Sequence, residues 1–373
     1  MAGQHLKQAK SAKNDEFYTL FHDVEKEVSA YIEYNPNVFK GKTIFLPCDD
    51  PEWSNFTKYF AQNFENFKLK KLISTSYAVE SKKYKGGFQT TLFEEKSPKF
   101  DKQKTRVKGK IFTLTKDKTS DGRINIEDLD WDYLESDGDF RSKEIKKLWD
   151  EADVIITNPP FSLFREFLAW VIKAKKQFLV VGNVNAITYK EVFPLIKSNK
   201  AWLGIKSSSK AMFFKTSDKE YASRVSSERP EGSWWRKIDG EVCIGINNSC
   251  WFTNLDHGRR HQKLPLMTMA DNLKFHNQMK KKKAYDKYDN YDAIEVPYTN
   301  AIPSDYKGVM GVPVTFLDKY NPDQFKILGM ASSAGYNKSV VGIPFIGEKD
   351  ARPLINGKNT YARIFIKYKE ARK

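Results

Sequence analysis

Asn158, Pro159, Pro160 and Phe161 stand directly after the apolar run Asp153-Val-Ile-Ile-Thr157. A β-branched run that short, entered from the polar Trp149-Asp-Glu-Ala152, predicts a buried parallel strand. The two prolines forbid ladder pairing and helix continuation, so the chain turns where the strand ends. From Ser162 to Lys175 the spacing of Leu163, Phe164, Phe167, Leu168, Val171 and Ile172 predicts a helix. The tetrapeptide therefore occupies a strand-to-helix loop at the carboxyl edge of a sheet, where open α/β folds place their ligands. A side-chain amide, rigid backbone carbonyls and an aromatic plane at that spot suit a planar group that carries an amine. Asn-Pro-Pro alone is an ordinary turn sequence. The strand before it, the helix after it and Phe in fourth place favour chemistry.

An amine on a ring or an amide is a poor nucleophile because its lone pair is delocalised. Hydrogen bonds from the NH₂ to the Asn158 side-chain oxygen and the Pro159 carbonyl would draw it towards tetrahedral geometry. The tetrapeptide resembles the signature of amino-group methyltransferases, which implies that the lone pair then points at an electrophilic methyl and that positioning supplies most of the rate, with no metal and no covalent nucleophile. Phe161 would stack on a base swung out of a duplex. A methyl donor has to lie alongside, across the carboxyl ends of the first strands. Asp49 and Asp50, in the loop from Pro47 and Cys48 to Asn55, follow the first strand, where the donor's amino-acid portion would sit. Asp139 follows the third strand segment and can accept the amine of a donor adenine while Phe140 stacks on its ring. Helix capping and turn formation are the other uses for these acids.

The elements that must position these groups alternate. An amphipathic stretch runs to Tyr34 with Leu20, Val24, Val28 and Ile32 on its apolar side. Strands are predicted at Thr43–Pro47, Lys71–Tyr77, Asp153–Thr157 and Gln177–Gly182, with helices at Pro51–Phe64, Ser142–Trp149 and Ser162–Lys175. That alternation predicts an α/β fold with a doubly wound, largely parallel sheet. Residues 1–13 form a polar, Lys-rich flexible arm. Residues 14–255 form the catalytic domain, with a basic hairpin insertion around 78–118 built from Phe88–Phe93 and Arg106–Leu114. Residues 256–373 are a mixed region with strands at Val309–Tyr320, Phe325–Met330 and Tyr361–Tyr368.

The charge narrows the partner. Across 373 residues, 63 basic side chains oppose 47 acidic ones, a net charge of +16, so an acidic surface or polymer is the natural counterpart. The excess is clustered in Lys96–Lys110, which contains Lys104, Arg106 and Lys108, in Arg259 and Arg260, and in Lys280–Lys283, which contains Lys281 and Lys282. Such runs beside a base-modifying motif fit a phosphate-binding face. No apolar run nears the roughly 20 residues that cross a bilayer, and the first residues lack the apolar stretch of a signal peptide. Cys48, Cys243 and Cys250 are odd in number and widely spaced, which argues against a disulfide framework or a zinc cluster and for a cytoplasmic setting. His22, His257 and His261 carry no specific assignment.

Six segments together resemble the EcoRI-type adenine-specific DNA methyltransferases. They are Asn14-Asp-Glu-Phe-Tyr-Thr19, Cys48-Asp-Asp-Pro-Glu-Trp-Ser-Asn-Phe56, Asp137-Gly-Asp-Phe-Arg141, Asn158-Pro-Pro-Phe161, Val309-Met-Gly-Val-Pro-Val-Thr-Phe-Leu-Asp318 and Asn356-Gly-Lys-Asn-Thr-Tyr-Ala-Arg363. They run from the amino terminus almost to the end of the chain. The resemblance implies a Rossmann-like methyltransferase fold, S-adenosylmethionine as donor and N6 of adenine in a short duplex DNA site as target. It also implies a donor-binding segment at Phe17, Tyr18 and Thr19 and a late target-recognition region. A monomer is expected, with any cognate restriction endonuclease acting separately. Methyltransferases of this fold usually carry a glycine-rich loop after the first strand, where this chain has Pro47-Cys-Asp-Asp-Pro51, as does the EcoRI-type family. Ser76-Tyr77 stands where an acid commonly binds ribose. The competing readings are an RNA-base methyltransferase, a protein-glutamine methyltransferase, which needs less basic charge, and a DNA-binding subunit with a decayed site, which the intact Asn158–Phe161 argues against.

Overall fold

The structure, a computed structural model, describes residues 17–51, 54–78, 97–118, 124, 128–206, 208, 210–216, 218–331, 342–344, 346 and 351–369. The arm 1–13 and the segment Phe88–Phe93 lie outside these residues. The chain divides into two compact units, Met1–Val184 with Ser209–Leu255, and Asn185–Ser208 with Asp256–Lys373. Among the described residues no helix is long and apolar enough to cross a membrane.

Seven strands open the first unit: β1 (Phe17–Thr19), β2 (Thr43–Leu46), β3 (Lys71–Ser76), β4 (Lys110–Leu114), β5 (Asp130–Tyr133), β6 (Val154–Thr157) and β7 (Gln177–Asn183). The short β8 (Trp202–Leu203) belongs to the second unit. β9 (Met212–Thr216), β10 (Trp235–Ile238), β11 (Glu241–Ile246) and β12 (Ser249–Thr253) return to the first.

At the centre of the first unit β3, β2, β6 and β7 run parallel in that order. β2 and β6 are buried along their whole length, as strands covered on both faces must be. Helix Asn55–Gln62 connects β2 to β3, and helix Phe164–Lys173 connects β6 to β7. The latter turns Phe164, Phe167, Leu168 and Val171 into the core. Gly182 of β7 leaves the room that Phe164 fills, since a Cβ there would come within 2.2 Å of its ring. At the entry to the parallel strands the Asp153 carboxylate accepts the Thr43 N–H at 2.8 Å, which sets the start of β2 beside that of β6.

The sheet is mixed rather than largely parallel. β4 pairs antiparallel with β3, β5 with β4, and β12 with β7, giving the run β5-β4-β3-β2-β6-β7-β12. β4 alternates buried and half-buried residues, the period-two pattern of an antiparallel strand with one solvated face. Sequence reading took the same alternation for a hairpin insertion, but β4 is a member of the sheet. Arg106 and Val107, expected in that strand, close a helix instead (Lys102–Val107). The cause is Asp101, whose carboxylate accepts the N–H groups of Gln103 at 2.8 Å and Lys104 at 3.0 Å and so caps a helical turn. A second, antiparallel sheet in the order β1-β9-β11-β10 carries the amino-terminal strand.

The second unit adds β13 (Ile294–Glu295), β14 (Met310–Pro313), β15 (Phe325–Ala331), β16 (Leu354–Ile355), β17 (Lys358–Asn359) and β18 (Arg363–Tyr368). Four of them form the sheet β13-β14-β18-β15, and β16 pairs with β17 as a hairpin. The strand expected over Val309–Tyr320 ends at Pro313, and Val314–Lys319 is a 3₁₀ turn. Pro313 lacks the N–H that would carry the ladder further. A buried ion pair ties β18 to β13. The Arg363 guanidinium donates from Nε to both Glu295 oxygens at 3.0 Å and from Nη2 to Oε1 at 2.5 Å, and the Tyr288 hydroxyl donates to Oε2. Burial beside that carboxylate pushes the Tyr288 hydroxyl well above its ordinary pKa.

Arg363→Ala should lower the stability of this unit by about 3–5 kcal/mol, because Glu295 is then left buried without its cation. Arg363→Met combined with Glu295→Leu should recover most of that loss. Urea denaturation of the three proteins tests it, and a loss below about 1 kcal/mol in the single variant would show that the carboxylate finds water instead.

Candidate active site

β6 delivers Asn158, Pro159 and Pro160 to the carboxyl edge of the parallel strands, and there they line one cavity of about 340 Å³. That volume lies in the range of small-molecule sites, about 300–1,000 Å³. Phe17, Tyr18 and Thr19 of β1 line the same cavity, as do Pro47, Cys48, Asp49 and Asp50 after β2 and Asp139 and Phe140 after β5. Residues of four separate segments that sequence reading singled out are thus brought to one place. Phe161 is the exception. It is half-buried and does not line the cavity; its ring stacks on Phe17 with centroids 6.0 Å apart and meets Phe214 edge-on at 5.9 Å.

Asn158 has two distinct ends. Its Nδ2 donates to the Phe17 carbonyl. Its Oδ1 is buried and accepts no hydrogen bond among the described residues. An orphaned buried acceptor costs free energy, on the order of 1–3 kcal/mol, so its persistence at a cavity wall marks a place for a donor from a ligand. Asn55 does for Thr19 what Asn158 does for Phe17: its Nδ2 donates to the Thr19 carbonyl at 2.8 Å. β1 is therefore held by two side-chain amides and by its antiparallel pairing with β9, with Phe17 opposite Thr216 and Thr19 opposite Phe214.

Asp49 is hydrogen-bonded to the residue that precedes each amide. It is 4% exposed, and both its oxygens are engaged. Ser54 Oγ donates to Oδ1 at 2.7 Å and Thr157 Oγ1 donates to Oδ2 at 2.5 Å. The Asp49 carbonyl accepts Thr57 Oγ1 at 3.1 Å and the Ser74 hydroxyl, and its N–H donates to the Thr75 carbonyl at 3.0 Å. Ser54 also caps helix Asn55–Gln62 by accepting the Phe56 and Thr57 N–H groups. Burial pushes the Asp49 carboxyl up to about 7, against the pull of the Thr157 and Ser54 hydroxyls. Asp50 is half-buried at the cavity wall.

The Asp139 carboxylate is held by Arg141, a residue that sequence reading left without a role. Arg141 Nε donates to Oδ1 at 2.8 Å and Nη2 to Oδ2 at 2.5 Å, the fork geometry that fixes a carboxylate plane. Those hydrogen bonds hold the guanidinium protonated well above its ordinary range. Among the described residues Arg141 is the single cation that lines the cavity. Phe140 is buried, edge-on to Phe167 at 5.3 Å and tilted on Trp170 at 5.8 Å, so most of its ring is core. The loop that carries both residues lies against the end of β3 because Gly138, at φ +84°, passes where any Cβ would stand 2.3 Å from the Ser76 carbonyl.

Of the basic candidates, Lys104 and Arg106 are exposed and Lys108 is half-buried, on the helix Lys102–Val107 and just after it. Gly109, next in the chain, crosses Gly138 so closely that a Cβ would lie 2.6 Å from its Cα, which sets this basic helix beside the cavity-lining loop. Lys281 is exposed, and Lys282 pairs with Asp286. Arg259 and Arg260 do internal work. Arg259 donates to the Ile205 carbonyl; Arg260 lies 3.7 Å from the Trp202 ring, donates to Asn199 at 3.0 Å and faces Asp256 at 3.6 Å. A run of charge reads the same in sequence whether its guanidinium groups meet carbonyls or solvent.

A family model described as "Adenine-specific methyltransferase EcoRI" matches residues 5–369. The Type II methyltransferase M.EcoRI of Escherichia coli is 41% identical over 368 residues, covering 99% of this chain and 97% of that protein. The Type II methyltransferase M.MgeORF184P of Mycoplasma genitalium is 34% identical over 97% of this chain and 98% of its own length. M.MpnI of Mycoplasma pneumoniae, also a Type II methyltransferase, is 32% identical over 98% of each chain. No solved structure matches the chain.

The Asp49 carboxyl sets a pH dependence whose sign is fixed. Its pKa in the folded chain, about 7, lies above the ordinary 3.8, so the folded state binds the proton more tightly than the unfolded one. The stability this gives is complete below pH 4 and is lost as pH rises to 7. Asp49→Asn should remove that slope while adding a pH-independent offset for the altered hydrogen bonds. Denaturation curves from pH 5 to pH 8 should show the parent losing stability relative to Asp49→Asn up to about pH 7, then running parallel to it. Parallel curves throughout would mean that Asp49 is ionised in the fold.

Proposed function

This chain belongs to the family of the adenine-specific methyltransferase EcoRI, and on that premise we propose that it transfers the methyl group of S-adenosylmethionine to N6 of adenine in a short duplex DNA sequence. The observation that carries the reading is Asn158 Oδ1, a buried acceptor without a partner among the described residues, on the wall of the 340 Å³ cavity next to the Pro159 that also lines it. Three relatives that span almost the whole chain are named Type II methyltransferases, which supports DNA as the polymer. The net charge of +16 and the exposed Lys104 and Arg106 beside the cavity loop fit its phosphates.

The residues present fit the donor. S-adenosylmethionine, when bound, supplies an electrophilic methyl on a sulfonium centre. Asp139, oriented by Arg141, offers a carboxylate to the donor's adenine amine, with Phe140 as a hydrophobic wall. β1, clamped by Asn55 and Asn158, closes the other side. We read β3-β2-β6-β7 with its helices as the parallel core of a doubly wound, Rossmann-like methyltransferase fold, and residues 256–373 as the target-recognition region. A monomer suffices for this chemistry, and a cognate endonuclease would act separately.

Asn158 Oδ1 and the Pro159 carbonyl accept the two hydrogens of the target amine and aim its lone pair at the methyl. The base reaches them by leaving the duplex, and the solvent-facing part of Phe161 is the aromatic surface it would meet. Because Phe161 also packs on Phe17, its removal loosens β1 as well as the base.

Asn158→Ala should reduce methyl transfer by about 10²–10³-fold, the cost of losing a hydrogen bond that matters most in the transition state. Duplex affinity should stay near the parent's. Asn55→Ala separates the second role of Asn158, since it loosens β1 at Thr19 and leaves the amine acceptor in place. It should weaken donor binding more than it slows turnover. Transfer of a tritiated methyl group to DNA, RNA and protein, with calorimetry for the donor, tests all of this. Near-parental turnover in Asn158→Ala would sink the reading, and preferred labelling of RNA or protein would change the substrate.

A further inference from the structure

The hairpin β16–β17 in the second unit makes a use of the chain that the cavity does not explain. Asn356 and Gly357 have φ of +50° and +72°, the two positive values that define a type I′ turn, and Leu354 pairs with Asn359 across it. A two-stranded ribbon of this size is marginal by itself. Here it is braced at its base. The buried Asn290 accepts the Leu354 N–H at 2.9 Å and donates to the Arg352 carbonyl at 2.9 Å. The Asp289 N–H donates to the Leu354 carbonyl at 2.8 Å, and its carboxylate accepts the Gly357 N–H at 2.7 Å. The Thr360 N–H closes the far side on the Pro353 carbonyl at 2.8 Å.

Ile355 packs against the core cluster of this unit, and the turn beyond it faces solvent. Asn356, Gly357, Lys358 and Asn359 are exposed, and Tyr361, at 85%, is the most exposed large hydrophobic side chain of the described residues. Among the described residues no hydrogen bond or ion pair engages the side chains of Lys358, Asn359 or Tyr361. From Ala351 to Tyr361 there are two cations, Arg352 and Lys358, and no acid. A rigid ribbon bearing amides, a cation and a bare phenol has the chemistry of base-edge recognition: Asn pairs with the N6 and N7 of adenine, Lys with guanine or phosphate, and an aromatic ring wedges between bases.

We propose that this hairpin enters a groove of duplex DNA and reads sequence, with Asn359 and Lys358 on base edges or phosphate and Tyr361 stacked against a base step. The inference rests on the reading of the chain as a DNA methyltransferase. Exposure makes the residues safe to change, so Asn359→Ala and Tyr361→Ala should melt with the parent. Methylation mapping in cells that express the parent first gives the target, and two duplexes of about 30 base pairs are then used, one with that sequence and one scrambled. Each variant should bind the target duplex at least about tenfold more weakly than the parent does, with affinity for the scrambled duplex nearly unchanged. Their preference for the mapped site over sites with one altered base pair should shrink. Parental discrimination in both variants overturns the hairpin proposal, as does an equal loss on both duplexes, which would be phosphate contact alone. A parent that methylates no DNA overturns the proposed function instead, so the two failures are told apart.

Discussion

One buried carboxyl group organises the first unit. Asp49 sits where the loop after β2, the end of β6 and the start of helix Asn55–Gln62 converge, and it spends one oxygen on each of Ser54 and Thr157. The residue after Ser54 is Asn55, which holds the Thr19 carbonyl; the residue after Thr157 is Asn158, which holds the Phe17 carbonyl. A single side chain thus fixes both amides that hold β1 over the cavity. Sequence reading expected Asp49 to touch the donor's amino-acid portion. In the structure both its oxygens are taken up by Ser54 and Thr157 while it lines the cavity together with Asp50 and Asp139.

What sequence made legible was local. β-branched residues followed by two prolines set the strand, the turn and the helix around Asn158, and each of these signals acts over a few residues. The parallel core from β2 to β7 followed from the same kind of signal. What stayed hidden depended on partners far along the chain. Thr157 lies 108 residues from Asp49, and Phe17 lies 141 residues from Asn158, so no window of sequence contains either pair. Arg141 is different: its hold on Asp139 spans only two residues, but it matters because Gly138 lets the loop touch β3, which lies far back in the chain.

Two expectations met physical competition. The alternation in Arg106–Leu114 is real, but the Asp101 cap takes Arg106 and Val107 into a helix before β4 begins. Arg259 and Arg260 carry the charge expected of a phosphate contact, but a carbonyl, an amide and the Trp202 ring already solvate them. Phe161 is similar. An aromatic ring after Asn-Pro-Pro can serve a base, and here it also completes a cluster with Phe17 and Phe214. Its place in the sequence specified an aromatic plane without saying how much of that plane the protein would keep for itself.

The clamped strand β1 has a consequence for how the protein is made. It is the first of the described strands to leave the ribosome, yet its amide Asn158 and its ladder partner β9 follow by 141 residues and more. At about 5–20 residues per second, the emerging strand waits roughly 7–30 seconds before Asn158 is even synthesised, and longer for β9. During that interval β2 and β3 can pack together around Asp49, Ser54 and Ser74, but β6, β7 and the wall formed by β1 are missing. The cavity is therefore among the last parts of the unit to close on a growing chain. A nascent protein stalled before Phe214 would be compact in its middle and unable to hold a small molecule at its edge.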